Sequence, residues 1–240
     1  MKAIILAAGR GSRMKSLTDE KPKCLIELNG KPLLEWQLKA LRGAGIEDIA
    51  IVTGYKKELL HRYGLKEFHN SLWAETQMVS SLMCANEWLQ QSECVVSYSD
   101  IFYESSAINL LKGCREDLCI TYDPNWAELW RRRFDEPLDD AETFCLDESG
   151  QLLDIGGKAQ SIQEIQGQYM GLLKYSPCGW SVFRNEWLKL SGQEQSMIHM
   201  TGMLRRIIAA GDIKISPIVY MGRWGEFDSI ADLKCGFFNN

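Results

Sequence analysis

Long hydrophobic runs are missing from this sequence, and so is an excess of basic charge. The chain passes from Met1-Lys2 into the short apolar run at residues 3–7. That run is too short for a signal-peptide core and far below the roughly 20 residues that cross a bilayer. We therefore expect a cytoplasmic protein with no membrane insertion. Acidic residues outnumber Lys and Arg by 32 to 27, for a net charge of -5. A nucleic-acid binder would show a basic face, so no nucleic-acid partner is expected. The one basic run, Arg131-Arg132-Arg133 after Trp130, reads first as a solvated helix end and second as an anion site. Only three histidines are present, and no CxxC pair occurs, so no zinc site can be assembled from the usual spacings. With six prolines and no tract rich in Pro, Ser or Gly, there is neither linker nor repeat.

What is present is enough for one substantial core: 240 residues, 45% of them hydrophobic. We read residues 1–240 as a single domain. Of eight cysteines, Cys24, Cys84, Cys94, Cys119 and Cys145 lie in apolar segments. Reduced core thiols are expected, Cys114 and Cys119 being the closest pair.

The hydrophobic pattern alternates between strand and helix. Residues 3–6 form a continuous apolar run, and 48–53, 94–98 and 118–122 are largely apolar; these read as strands of a mostly buried sheet. Helices are expected at 33–41, 56–63, 78–89 and 125–132. After Glu142 the texture changes. Residues 143–147 and 152–155 flank the turn Glu148-Ser149-Gly150 and read as a hairpin. A strand at 168–175, helices at 180–190 and 202–210, and a strand at 213–219 follow. The fold class is α/β: a Rossmann-like, mostly parallel sheet flanked by helices, with a small antiparallel insertion covering the active site. Ligands in such sheets bind at the carboxyl ends of the strands.

The segment Leu6-Ala7-Ala8-Gly9-Arg10-Gly11-Ser12-Arg13-Met14 leaves the first strand directly. Glycines and small residues let backbone N–H groups approach an anion. A dinucleotide fingerprint would need a third glycine where Met14 stands, and a P-loop would need Gly-Lys-Ser/Thr; neither occurs. Arg13, Lys21 and Lys23 beside the glycines make a triphosphate cradle a better reading than a surface turn.

This segment, followed by Lys21-Pro22-Lys23, resembles the signature of the sugar-phosphate nucleotidyltransferase superfamily. The resemblance implies a nucleoside triphosphate held by residues 7–11, with Arg13 on its distal phosphates and Lys23 at the α-phosphate. It also implies a magnesium ion, held by an Asp at the end of a central strand and by an acid near the C-terminus. Asp100 and Asp228 stand in those places, with Glu226 beside the second. Magnesium prefers hard oxygen ligands, so one or two carboxylates with phosphate oxygens suffice. Helix capping is the structural alternative for both aspartates.

Over its whole length the chain is similar to the small CTP-dependent cytidylyltransferases, whose acceptors are phosphocholine, phosphonates or phosphoglutamine. Residues 32–37, 53–56 and 76–82 follow that pattern, with Gln77 where many relatives carry Asn. The resemblance places Leu6, Ala7, Ala8, Gly9, Gly11, Ser12, Gly54, Thr76, Gln77, Ser80 and Ser99 at the nucleotide. Capping by Thr76 is the structural reading of the third segment. For the acceptor it offers Lys158, Arg133 (or Arg132), Trp126, Trp130, Gln168 and Tyr169. The two tryptophans lie four apart on one helix face, where packing on the sheet is the default and a cation–π cage the alternative.

The implied reaction is in-line attack by an acceptor oxygen on the α-phosphorus of CTP, releasing pyrophosphate. A phosphate monoester is already a dianion near neutrality, so no general base is required, and His61, His69 and His199 are given no role. A hexose-1-phosphate nucleotidyltransferase shares the loop and acids and is the nearest alternative. A non-catalytic nucleotide-binding regulator would lack a metal ligand, and a glycosyltransferase would show a DxD motif, which is absent. A homodimer is compatible with the sequence, but nothing in it specifies one.

Overall fold

The computed structural model describes residues 1–234. Strand β1 (Lys2–Ala7) leads through a glycine loop to a small ribbon of β2 (Glu27–Leu28) and β3 (Lys31–Pro32). Helix α1 (Leu33–Gly43), β4 (Ile49–Thr53) and β5 (Lys66–His69) follow. The middle of the chain holds α2 (Met78–Met83), α3 (Asn86–Gln91), β6 (Cys94–Tyr98), β7 (Ile101–Tyr103), α4 (Ser105–Gly113), β8 (Leu118–Asp123) and α5 (Trp126–Arg133). Then come β9 (Glu142–Leu146), β10 (Leu152–Lys158) and β11 (Gln168–Tyr175). Helices α6 (Pro177–Leu188), α7 (Gly192–Met197) and α8 (Met200–Ala210) precede β12 (Ile215–Val219) and β13 (Trp224–Glu226).

Seven strands form the main sheet in the order β12-β8-β11-β6-β1-β4-β5. Neighbours are parallel except β11, which runs against both β6 and β8. The apolar runs of β1, β4, β6 and β8 are buried along almost their entire length, as strands covered on both faces must be. The expected mostly parallel α/β sheet is the observed one. The antiparallel insertion is the β9–β10 hairpin, which packs against α8.

Several local expectations are corrected. The helix expected at 56–63 is two short 3-10 turns, bounded on either side by Lys56 and Gly64, which take positive φ and keep a helix from extending past them. The helix expected at 78–89 breaks into α2 and α3 at Cys84 and Ala85, where the backbone bonds tighten to Ser81 and Leu82. Among the described residues after Asp228, where capping would require a helix, there is a single 3-10 turn at Asp232–Lys234. Cys114 and Cys119 are joined by a disulfide rather than reduced. Helix α4 ends at Gly113 and the chain folds straight back into β8, which brings the two Cα atoms within 6.9 Å. Cys24 and Cys94 are buried thiols, and burial pushes both up to about 12. No helix of the described residues is long and apolar enough to cross a membrane.

Candidate functional site

The glycine loop is built by close packing. Gly11 takes φ 73, and a Cβ there would lie 2.8 Å from both Cβ and Cδ of Lys23. Only glycine allows the lysine stem to cross the loop at that distance. Beneath the loop, a Cβ on Gly54 would lie 2.5 Å from the Ala8 carbonyl oxygen and 2.6 Å from Trp73 Cβ. The Tyr55 N–H donates to that same Ala8 oxygen at 2.9 Å. Gly54 therefore supports the loop from the end of β4 and leaves contact with the cavity to its neighbours.

Leu6, Ala8, Gly9, Gly11, Ser12, Thr76, Gln77 and Ser99, all expected at a nucleotide, line one cavity of about 290 Å³ together with Arg13 and Lys23. Ala7 is buried within β1. The Ser80 hydroxyl turns away and donates to the Gln195 carbonyl at 2.9 Å, and Ser81 reaches the cavity in its place. Trp73, Met78 and Tyr98 also line it and were not anticipated. Thr76 accepts from Asn70 and donates to the Leu72 carbonyl, so it braces a loop instead of capping α2.

Two strand ends meet at the cavity floor. β13 pairs antiparallel with β7, Glu226 opposite Ile101, and the Phe227 N–H donates to the Asp100 carbonyl at 2.9 Å. That ladder brings Asp100 and Asp228 together across 128 residues of sequence. Oxygens of Asp100, Glu226 and Asp228 lie within 4.8 Å of one another. Helix α1 fixes the first strand end: the buried Gln37 donates 2.7 Å bonds to the carbonyls of Tyr98 and Ile101, on either side of Asp100. The capping duty expected of Asp228 belongs to Asp232, whose carboxylate accepts the N–H groups of Asp228 and Ser229. Asp228 is thereby left to face the loop.

Lys23 reaches from the loop to both aspartates, 2.7 Å from Asp100 and in contact with Asp228, while Arg13 is 2.8 Å from Asp228. Burial opposes the charge on Lys23, but the two aspartates more than offset it and raise its pKa. Burial likewise opposes the Asp228 charge, yet Lys23 and Arg13 hold its carboxyl below the usual range. Glu226 is pushed up to about 8 by burial and by Asp228, with Arg133 pulling the other way. The donor set is all hard oxygen, and the buried Oδ1 of Asp100 has no hydrogen-bond partner among the described residues. This arrangement fits a hard divalent cation.

A second cavity, of about 280 Å³, adjoins the first and shares Arg13, Met78 and Tyr98 with it. Glu226, Asp228, Asp140 and Glu142 line it, so four carboxylates face one guanidinium. Trp130, Gln168 and Tyr169, expected at an acceptor, are on its wall; His199 and Thr201 join them from α8 and its approach. His199 was given no role from the sequence, because nothing local to residue 199 foretells that α8 packs against the β9–β10 hairpin. Trp126 is 2% exposed and donates its indole N–H to the Ile165 carbonyl, so its place is in the packing. Arg133 is buried against Glu226, Asp228 and Asp232. Arg132 pairs with Glu128 on its own helix, and Lys158 is exposed at the end of β10 opposite Glu142. The structure brings neither Lys158 nor Arg133 to the cavity wall.

The description MobA-like NTP transferase domain matches residues 3–166. The chain is 33% identical over 250 aligned positions to the CTP:phosphoglutamine cytidylyltransferase of Campylobacter jejuni, covering 98% of each. It is 30% identical over 239 positions to the 2-aminoethylphosphonate cytidylyltransferase of Lancefieldella rimae, covering 96% of this chain and 89% of that one. Among solved structures, the inositol-1-phosphate CTP transferase from T. maritima superposes with a TM-score of 0.77 at 19% identity, over 96% of this chain and 90% of that one.

Proposed function

The chain belongs to the MobA-like NTP transferase family, and on that premise we propose that it is a magnesium-dependent cytidylyltransferase moving CMP from CTP to a small phosphorylated or phosphonate acceptor. The observation that carries the reading is the seam between two cavities. The glycine loop, Lys23 and Asp100 line one, Glu226 and Asp228 line the other, and the three carboxylates meet where they join. CTP is assigned to the first cavity and the acceptor to the second. The names of the two full-length relatives support CTP and an acceptor of this size.

Asp100 and Asp228, with Glu226, would hold the magnesium ion, which when bound supplies charge neutralisation at the reacting phosphate. The remaining work belongs to the protein. Backbone N–H groups of the loop and Arg13 hold the distal phosphates against the strand end, so the leaving pyrophosphate departs along a fixed line. Lys23, held charged by its aspartates, stands where negative charge builds on the α-phosphate oxygens. Arg13 is the cation common to both cavities, so its charge also lies near the seam where the acceptor dianion would approach. No side chain needs to remove a proton, because the attacking oxygen is already ionised near neutral pH. Asp140 and Glu142, the two carboxylates of the second cavity not assigned to the magnesium ion, favour acceptors that also carry an ammonium group, such as phosphoglutamine, aminoethylphosphonate or phosphocholine.

Pyrophosphate release should be measured with CTP, UTP, GTP and ATP against those three acceptors, hydroxyethylphosphonate and glucose 1-phosphate. The expected result is CTP-dependent release with an ammonium-bearing acceptor, abolished by EDTA. Absence of release with CTP and every acceptor would overturn the assignment. Preferential use of glucose 1-phosphate would replace it with a hexose-1-phosphate nucleotidyltransferase.

A further inference from the structure

Arg133 sits at the end of α5 with its guanidinium buried, yet no substrate cavity reaches it. Each of its nitrogens faces an acid of the C-terminal segment. Nη1 donates to Glu226 at 3.0 Å, Nε donates to Asp232 at 2.9 Å, and Nη2 lies 3.6 Å from Asp228 without a hydrogen bond. Burial opposes its charge, but Glu226, Asp232 and Asp228 together hold it more firmly protonated than usual. The ring of Trp130 lies 4.9 Å from the guanidinium carbon and that of Phe134 5.0 Å, which fixes the plane of the fork. Asp232 transmits the hold to the backbone, because its other oxygen accepts from the N–H groups of Asp228 and Ser229.

From this geometry we infer that Arg133 is a positioning residue: acting directly on Glu226 and through Asp232 on the turn at Asp228, it keeps the two acids where a divalent cation can use both. The inference rests on the reading of these acids as the cation site. A lysine could supply the charge but not three directed nitrogens, so the fork itself carries the function. Trp130 gives it a second consequence. The same helix turn lines the acceptor cavity through Trp130 and holds the acids through Arg133, so the acceptor wall and the cation site share one support.

Two simple accounts of Arg133 differ in sign. If it only neutralised the acids, removing it would strengthen cation binding, since three carboxylates would be left with less compensation. If it positions them, removing it weakens cation binding despite the gain in negative charge. Free Mn2+ should be followed by electron paramagnetic resonance during titration of the full chain, alone and with saturating α,β-methylene-CTP. The variants are Arg133→Met, Arg133→Lys and Asp232→Asn. All three are expected to bind Mn2+ about 10- to 100-fold more weakly than wild type, the range found when groups that orient metal ligands are removed. Methylene-CTP affinity measured without metal should stay within about 3-fold, because the phosphate loop is untouched. Tighter or unchanged Mn2+ binding by Arg133→Met, or wild-type binding by Arg133→Lys, would overturn the inference. Should the Arg133 variants fail to fold, Asp232→Asn decides, as it leaves the buried cation in place. Wild-type protein that binds no Mn2+ would sink the cation site and this inference with it. Wild-type protein that binds Mn2+ but transfers no CMP would overturn the activity alone.

Discussion

The Lys23 ammonium lies 2.7 Å from the Asp100 carboxylate and also touches Asp228, so one side chain from the phosphate loop bridges both acids. That bridge decides what removing it should do. The loop backbone and Arg13 would still hold a triphosphate, but the charge facing the α-phosphate would be gone. Lys23→Ala is expected to lower kcat by about 100- to 1,000-fold, the usual loss for a preorganised charge at a reacting oxygen. KM for CTP should rise by less than about 10-fold, because ground-state binding is mostly elsewhere. Steady-state pyrophosphate release measures both, and near-normal turnover would remove Lys23 from the chemistry.

Gly11 and Gly30 form a matched pair for the loop. Both take φ 73, but a Cβ at Gly11 would strike Lys23, while nothing lies within 4 Å at Gly30. An alanine at either site pays a left-handed backbone cost of about 1–2 kcal/mol. In a chain of this size each kcal/mol lowers Tm by about 2–4 °C. Gly30→Ala is therefore expected to lose a few degrees of Tm from the backbone alone, and Gly11→Ala more, because its Cβ also displaces the Lys23 stem, with kcat falling sharply only in Gly11→Ala. Equal activity of the two variants would show that the Lys23 crossing is dispensable.

Why the loop was legible and the acceptor side was not follows from where the information lies. Glycines, Arg13 and Lys23 fall within fifteen residues of one another, and a local pattern survives without coordinates. Asp100 was marked by a carboxylate ending an apolar strand. Its pairing with Asp228 depends on the β7–β13 ladder, and both strands are only three residues long. Glu142 reaches the cavity from β9 while His199 and Thr201 reach it from the start of α8, and Arg133 reads in sequence as part of a solvated basic run although the fold buries it. Periodicity reports which face of a helix is apolar; it does not report that an arginine at its end will find three acids.

The role of Gln37 is tertiary, and no local pattern marks it. Its amide holds two carbonyls flanking Asp100. Gln37→Met keeps the side-chain length and removes both donors, at about 0.5–1.5 kcal/mol for each hydrogen bond. Differential scanning fluorimetry should show a lower Tm, and the magnesium concentration for half-maximal activity should rise as the turn at Asp100 loosens. A lower Tm with unchanged magnesium dependence would confine Gln37 to the packing.

Glu142 offers a test of the acceptor cavity in which stability and function should move in opposite directions. Its carboxylate lines the cavity while the residue keeps much of its exposure; desolvation raises its pKa, the Thr201 hydroxyl partly counters it, and the effect on stability is small. For a carboxyl group raised in the folded state, the unfolded chain releases its proton first as pH climbs. Stability therefore falls between the unfolded and folded pKa values, and the penalty is fully present above the folded one. Glu142→Gln removes the ionisable group, so its Tm should exceed that of wild type at pH 7 but match it near pH 4. The same variant should lose affinity for the ammonium end of an acceptor. KM for aminoethylphosphonate is expected to rise while KM for hydroxyethylphosphonate, which lacks the charge, stays put. The wild-type preference for the amine should also fade on acidification, beginning at higher pH than an ordinary carboxylate would cause, and the variant should show no such fading from this group. A variant that is destabilised at pH 7, or that loses both acceptors equally, would mean Glu142 serves the architecture of the β9–β10 hairpin and not the choice of acceptor.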